Sequence, residues 1–369
     1  MANTKQKTNE QPQGRVAFAA IDKYVESNIV SSKESTIVGH EFVSWGTNNI
    51  YPNYVSDLSH NVGTLKTLIC GSAQYVCGND VTSNIQGLEK AVNKKGETWS
   101  DFVENLARDY FTYGGFAINV VRNKDKKVSE LYYLCLANLR SNKENTEFFY
   151  SEDWTKSYGR VKYAVYPKYN PESSDANSVF FYKNDYNRCY PAPIWEASVK
   201  AAETEKSIDD YHLNNIKNNF SGSYIVNFNN GQPQDEVRAQ IEEDFNEKFT
   251  GEENAGNIMM TWNNSKDNET TIAKIDSEDF GAKYESLTKR IRQSLFTAFR
   301  ATPNLFGIPT ETTGFSEQEY EQAFKLFSRT QIRPIQNKII DAVNHIFNTD
   351  NGIAIKPFTL EGETETNVN

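Results

Sequence analysis

The stretch that most constrains this chain is residues 194–220. It contains neither glycine nor proline, yet carries only a sparse apolar series: Ile194, Val199, Ala202, Ile208, Tyr211, Ile216 and Phe220. The spacing predicts one long helix. A helix that is polar on most sides bridges solvent or packs beside copies of itself. A second such helix is predicted over residues 277–300, where Phe280, Tyr284, Leu287, Ile291, Leu295 and Phe299 recur every three or four positions. Thr302-Pro303 stops it, because the residue before a proline is pushed out of the helical region. The chain is therefore built around two long, polar-sided helices.

What precedes them reads as a mixed helix-and-sheet region. Val55, Leu58, Val62, Leu65, Leu68, Ile69, Tyr75 and Val76 predict a helix over residues 55–77, weakened or stopped by Gly71 and Gly78. Thr98 followed by Asp101 is close to a capping box, with Phe102, Val103, Leu106, Ala107, Tyr110 and Phe111 as the buried face. After Tyr113-Gly114-Gly115 the pattern becomes short, aromatic and β-branched. Residues 116–121, 128–136, 147–150, 158–166 and 178–182 predict one small antiparallel sheet, with a turn at 122–127. Tyr190-Pro191-Ala192-Pro193 closes it.

Between the long helices lies a small mixed unit: a strand at 224–228, a helix at about 234–249, and strands at 257–262 and 270–275 joined as a hairpin. After the second long helix, residues 301–315 form a loop rich in threonine, proline and glycine. Ser316-Glu317-Gln318-Glu319 is a capping box that starts the next helix, which Pro334 kinks. Residues 1–48 are an N-terminal arm, polar at the start, and residues 348–369 a short polar-ended C-terminal segment.

Composition narrows the function. The chain has 369 residues with a formal net charge of −10. Tight phosphate-driven nucleic-acid binding needs clustered Lys and Arg, so an acidic chain is a poor candidate for it, which does not exclude a surface that nucleic acid must slide past. The 38% hydrophobic content with 13% aromatic predicts that part of the apolar surface is covered by partners. Cys70, Cys77, Cys135 and Cys189 lack paired spacing and read as reduced, buried thiols. His40, His60, His212 and His345 lie far apart, which argues against a histidine metal site. No apolar run approaches the roughly 20 residues of a membrane span.

Nucleotide-binding and nucleophile-elbow motifs are missing. Glu242-Glu243-Asp244 with Glu252-Glu253, and Glu203, Glu205, Asp209 and Asp210, read as solvated helix faces, since adjacent helical positions do not converge. The aromatics Tyr132-Tyr133 and Phe180-Phe181-Tyr182 read as sheet packing ahead of base or sugar stacking. Lys289, Arg290, Arg292 and Arg300 reverse the sign of the chain locally, close to the loop. They suit phosphate contacts, complement the helix C-terminal dipole, or pair with a neighbour's acids.

Five stretches in order carry a resemblance: Asp109-Tyr110-Phe111-Thr112-Tyr113-Gly114-Gly115-Phe116-Ala117; Tyr190-Pro191-Ala192-Pro193; Phe220-Ser221-Gly222-Ser223 with residues 249–257; Phe299-Arg300-Ala301-Thr302-Pro303-Asn304-Leu305-Phe306-Gly307; and Thr330-Gln331-Ile332-Arg333-Pro334-Ile335. Over about residues 49–347 the chain resembles the portal proteins of tailed bacteriophages, in their short lambdoid-like form. The resemblance implies an α+β, elongated portal-type subunit. Its parts would be a helix-plus-antiparallel-sheet wing (49–193), stem helices (194–220 and 277–300), an α/β clip (221–276), a tunnel loop (301–315), a kinked wing or crown helix (316–347) and a short crown or tail (348–369). The chain departs from the family in its short C-terminal part and in having Ala301-Thr302-Pro303 where many relatives have two prolines.

The resemblance further implies a non-catalytic dodecameric ring at one capsid vertex of the virion, assembled in the bacterial host cytoplasm, with no cofactor. Double-stranded DNA would pass through its channel without sequence specificity during packaging and ejection. Terminase, the head–tail adaptor and the major capsid protein or scaffold would be partners. The implied channel residues are Thr302, Pro303, Asn304, Leu305, Phe306, Gly307, Ile308, Pro309, Thr310, Glu311, Thr312, Thr313 and Gly314, with the cations Lys289, Arg290, Arg292 and Arg300. The implied clip contacts are Tyr224, Phe228, Met259 and Trp262. A metal-dependent nuclease or hydrolase, and an aromatic-rich glycan- or protein-binding module, are the competing readings.

Overall fold

A computed structural model describes residues 30–156, 161–217, 224–228, 258–262, 280–308 and 317–358, with isolated positions 234, 237 and 240 between. Three helices form the centre of the body: α1 (Tyr51–Asn61), α2 (Gly63–Cys77) and α3 (Trp99–Tyr113). The single helix read over 55–77 is in fact α1 and α2, broken where Val62 is extended (φ −100°, ψ 111°). Val62 has no capping side chain, so a carboxylate from far along the chain does the work. Glu205 accepts the Thr64 backbone N–H at 3.1 Å and satisfies an orphan donor at the start of α2. Gly71 does not interrupt α2. The helix runs through it to Cys77 and ends at Gly78.

α3 starts as its sequence predicts, with the Thr98 hydroxyl accepting the Asp101 N–H at 3.1 Å. It ends at Gly114, whose φ of 88° is left-handed. A Cβ there would also meet the Ala192 carbonyl oxygen at 2.0 Å, so glycine is required twice over.

Strands β1 (Ser35–Thr36) and β2 (Val43–Ser44) pair antiparallel ahead of α1, and β3 (Asp80–Ser83) follows α2. Next come β4 (Gly115–Arg122), β5 (Val128–Leu134), β6 (Leu139–Ser141), β7 (Glu147–Tyr150), β8 (Ala164–Pro167) and β9 (Asn177–Lys183). They form two three-stranded antiparallel sheets, β5-β4-β9 and β6-β7-β8, where one sheet was expected. A short 3-10 turn at Leu136–Asn138 ends the first hairpin and starts the second sheet. The first sheet packs on α3. The second buries Phe149 against Phe42 and Trp154. The aromatics at 180–182 pack internally, Phe116 against Tyr182 at 5.0 Å and Phe148 against Phe181 at 5.1 Å.

The two long helices are α4 (Val199–Lys217), after a 3-10 turn at Glu196–Ser198, and α5 (Phe280–Ala298). Between them, β10 (Tyr224–Phe228) and β11 (Ile258–Trp262) pair in parallel. The expected partner strand at 270–275, the helix core at 241–249 and the acidic groups Glu242, Glu243, Asp244, Glu252 and Glu253 lie outside the described residues. So do the capping Ser316 and the tail from 359.

The kinked helix is α6 (Glu317–Phe327), a π-helical turn (Ser328–Ile332) and α7 (Arg333–Phe347). Pro334 sits in the first turn of α7, where its missing N–H is tolerated. The wide turn just before it moves the chain off the regular ladder that proline would break. The chain then returns to the body: β12 (Ile353–Lys356) pairs antiparallel with β3, residue 353 opposite 83 and 356 opposite 80.

Candidate functional site: the helical hairpin and the base of the loop

α4 and α5 pack against each other antiparallel. The Ser198 and Ser294 hydroxyls meet at 3.1 Å near the body, while Tyr211 and Tyr284 stack at 5.9 Å further out. Among the described side chains, those of the first part of α4 tie it to the body. Tyr54 donates to Glu203 at 3.2 Å, Lys206 pairs with Asp57 at 2.6 Å, and Glu205 caps α2. Glu203 and Glu205 are therefore half-buried anchors, a correction to their reading as a solvated face, whereas Asp209 and Asp210 are exposed. α5 enters the core through Ile291, Leu295, Phe296 and Phe299.

Lys289, Arg290, Arg292 and Arg300 are all exposed. They do not make one patch, because a helix turns about 100° per residue. Lys289 and Arg292 share the face turned away from α4, and Arg290 points to a different side, near Leu287. Arg300 lies beyond the helix end in a left-handed conformation (φ 51°).

The described part of the loop read over 301–315 is anchored to the body. Pro303–Phe306 is a 3-10 turn. Leu305 is 6% exposed, and its carbonyl accepts the Tyr75 hydroxyl at 2.8 Å. The same hydroxyl meets Tyr320 Oη, on α6, at 3.1 Å, so one side chain bridges the two arms that flank the loop. Burial raises the Tyr75 pKa, which keeps the hydroxyl protonated as a donor. Phe306 packs edge-on to Tyr75, Phe296 and Phe327 and lies over Gly71. A Cβ at Gly71 would come within 2.7 Å of the Phe306 ring.

Thr302 and Gly307 are exposed, Pro303, Asn304 and Ile308 half-buried. Pro309, Thr310, Glu311, Thr312, Thr313 and Gly314 lie outside the described residues. Leu305 and Phe306 therefore serve as the foot of the loop and are turned inward. In the small unit, Tyr224 and Met259 fall on the paired strands, and the Phe228 and Trp262 rings stack at 5.6 Å. Sequence reasoning missed Gly71 and Tyr75. The signal was there: an apolar Leu-Phe pair inside a polar loop, and a lone glycine inside an apolar helix stripe.

Among the described residues no group of three or more His, Cys, Asp or Glu is arranged to hold a metal, and all four cysteines are free. Burial pushes the Cys189 thiol up to about 12, which makes it unreactive near neutrality. No helix among the described residues is long and apolar enough to cross a membrane.

The features converge on a structural subunit. Two paired helices leave the body, a small parallel-stranded unit sits between them in sequence, and an anchored loop follows the second. Residues 84–362 match the sequence profile of the phage portal protein family, and the chain belongs to that family. It is a structural portal subunit. No curated protein matches it. Among solved structures, the fold is similar to a chain in the virion of a native gene transfer agent particle: TM-score 0.52, 15% identity, covering 82% of this chain and 83% of that one. It is equally similar to a chain in the neck of the native particle computed with C12 symmetry: TM-score 0.52, 15% identity, 83% and 84% covered. A chain in the neck of the empty particle, computed with C6 symmetry, gives 0.51 at 14% identity, with 83% and 84% covered.

Proposed function

We propose that copies of this chain form a closed ring, dodecameric, at one capsid vertex of a virion, and that double-stranded DNA is packaged and ejected through it. The family match over residues 84–362 carries this reading, and the likeness to a neck chain computed with C12 symmetry supports the ring number. In this assignment residues 49–193 are the wing, α4 and α5 the stem, and 221–276 the clip, which docks the terminase and later the head–tail adaptor. Phe228 and Trp262 are the clip rings we assign to that contact. Residues 301–315 are the channel loop, with Arg290 and Arg300 as the cations available to phosphate. The ring is non-catalytic, and the motor that hydrolyses nucleotide is a separate protein. A net charge of −10 per copy keeps DNA from sticking to the channel wall.

Negative-stain imaging of the purified full chain tests this. Discrete rings with a central hole are the expected result. A monomer with metal-dependent hydrolytic activity would overturn it.

A further inference from the structure

The stem hairpin has two outer edges, and they carry opposite charge. On α4, Ile208, Tyr211 and His212 turn toward α5, the last two meeting the Tyr284 ring. Helical geometry then places Asp210 and Leu213 on the side facing away from α5 and Asp209 on the flank between that side and His212. On α5, Tyr284 and Ser294 turn toward α4, which places Lys289 and Arg292 on the side facing away from α4. All five of these side chains are exposed.

Both edges start under cover and then lose it. The α4 edge is held against α1 and α2 by Glu203, Glu205 and Lys206, and Asp209 and Asp210 continue it one turn beyond. Leu213 is 49% exposed there, in a helix with no wide apolar face of its own to fold against.

We propose that these edges meet across the ring: Lys289 and Arg292 on α5 of one copy pair with Asp209 and Asp210 on α4 of the next. The occupant is a second copy of this chain, and the proposal rests on the ring reading above. The contact joins two different patches, so it is heterologous and propagates in one rotational sense until the ring closes. Like edges repel, which rejects head-to-head pairing. The assignment also divides the cations by job, with Lys289 and Arg292 holding neighbours and Arg290 and Arg300 left for the channel.

A charge-swap series on the full chain tests it, with ring fraction read by size-exclusion light scattering and negative stain. Asp209→Lys with Asp210→Lys should lower the ring fraction about tenfold, because like charges then face each other. Lys289→Glu with Arg292→Glu should do the same, and the quadruple variant should form rings again. Circular dichroism and the thermal midpoint should stay near wild type, since all four side chains are exposed. The neutral pair Asp209→Asn with Asp210→Asn should fall in between and lose the salt sensitivity of assembly. Normal rings in both reversed pairs, or no recovery in a folded quadruple variant, would overturn the pairing. So would reversed cations that assemble normally but lose retained DNA, which would give Lys289 and Arg292 to the channel. Wild-type chain that forms no ring would instead defeat the ring reading itself.

Discussion

Gly71 is where single-residue physics is sharpest. An alanine inside α2 would gain about 1 kcal/mol of helix propensity over glycine. Its methyl would, however, enter the Phe306 ring at 2.7 Å, and overpacking of that kind costs about 1–3 kcal/mol. Gly71→Ala should therefore destabilise the chain in urea. In a Phe306→Ala background the sign should reverse, with Gly71→Ala now stabilising; equal effects in both backgrounds would show that the two residues are not coupled. Asp109 gives a second prediction. It is buried beneath the first sheet, where it accepts the Tyr133 hydroxyl and the Leu136 N–H, each at 2.8 Å. Burial lifts its pKa from 3.8 to about 7, against the lowering effect of those two hydrogen bonds. The folded chain thus keeps a proton that the unfolded chain releases between those values. The stability this group contributes is full below its unfolded pKa and is lost as pH rises through about 7, at up to about 1.4 kcal/mol per pH unit. Asp109→Asn should flatten that slope in denaturant titrations run from about pH 4 to about pH 7, the window between the unfolded and folded values. A slope unchanged by the substitution would assign it to other groups.

At the level of elements, the bend between α6 and α7 ties the loop to the body. The π turn at Ser328–Ile332 holds one residue more per turn than an α-helix. Removing Thr330, which is exposed, should restore regular geometry and rotate α6 by about 100° relative to α7. Tyr320, Phe324 and Phe327 would then leave Tyr75, and the thermal midpoint should fall clearly, whereas Thr330→Ala should leave it nearly unchanged. Equal midpoints would mean that the bend carries no register. This element also marks what sequence can and cannot reveal. The long helices, the Thr98 cap and the Gly114 stop were legible, because periodicity and capping chemistry are local. The kink at Pro334 was legible but its π form was not, since proline forbids the regular ladder without choosing its replacement. The Thr64 N–H just past the break at Val62 is satisfied by Glu205, and the strand Ile353–Lys356 pairs with β3; both partners lie far away in sequence. Two sheets replaced one because alternation marks strands and says nothing of which strands pair. At the site, the loop was visible from its Thr, Pro and Gly, but its inward foot depends on Gly71 and Tyr75, two turns of a helix read separately.

For the whole molecule, the anchored foot decides which part of the loop can be removed without damaging the subunit. Leu305 is buried and bonded to Tyr75, and Phe306 fills the space over Gly71. A deletion that begins at Leu305 would take out core side chains, and truncating a buried Leu or Phe costs about 2–5 kcal/mol. Any loss of DNA packaging by that variant would be confounded with loss of folded subunit. A deletion confined to 310–313, with glycines bridging Pro309 and Gly314, leaves the Tyr75 clamp and the outer edges of α4 and α5 in place. Rings of that variant should assemble in wild-type yield and melt within a few degrees of wild type. Packaging, or the retention of packaged DNA, should fall, because the loop is the part we assign to the channel while the stem edges hold the copies together. The measurement is ring yield beside the amount of nuclease-protected DNA in particles rebuilt with the variant. Wild-type protection would remove residues 310–313 from the channel. Loss of the rings themselves would show that the loop, and not only the charged edges of the stem, holds neighbouring copies in register.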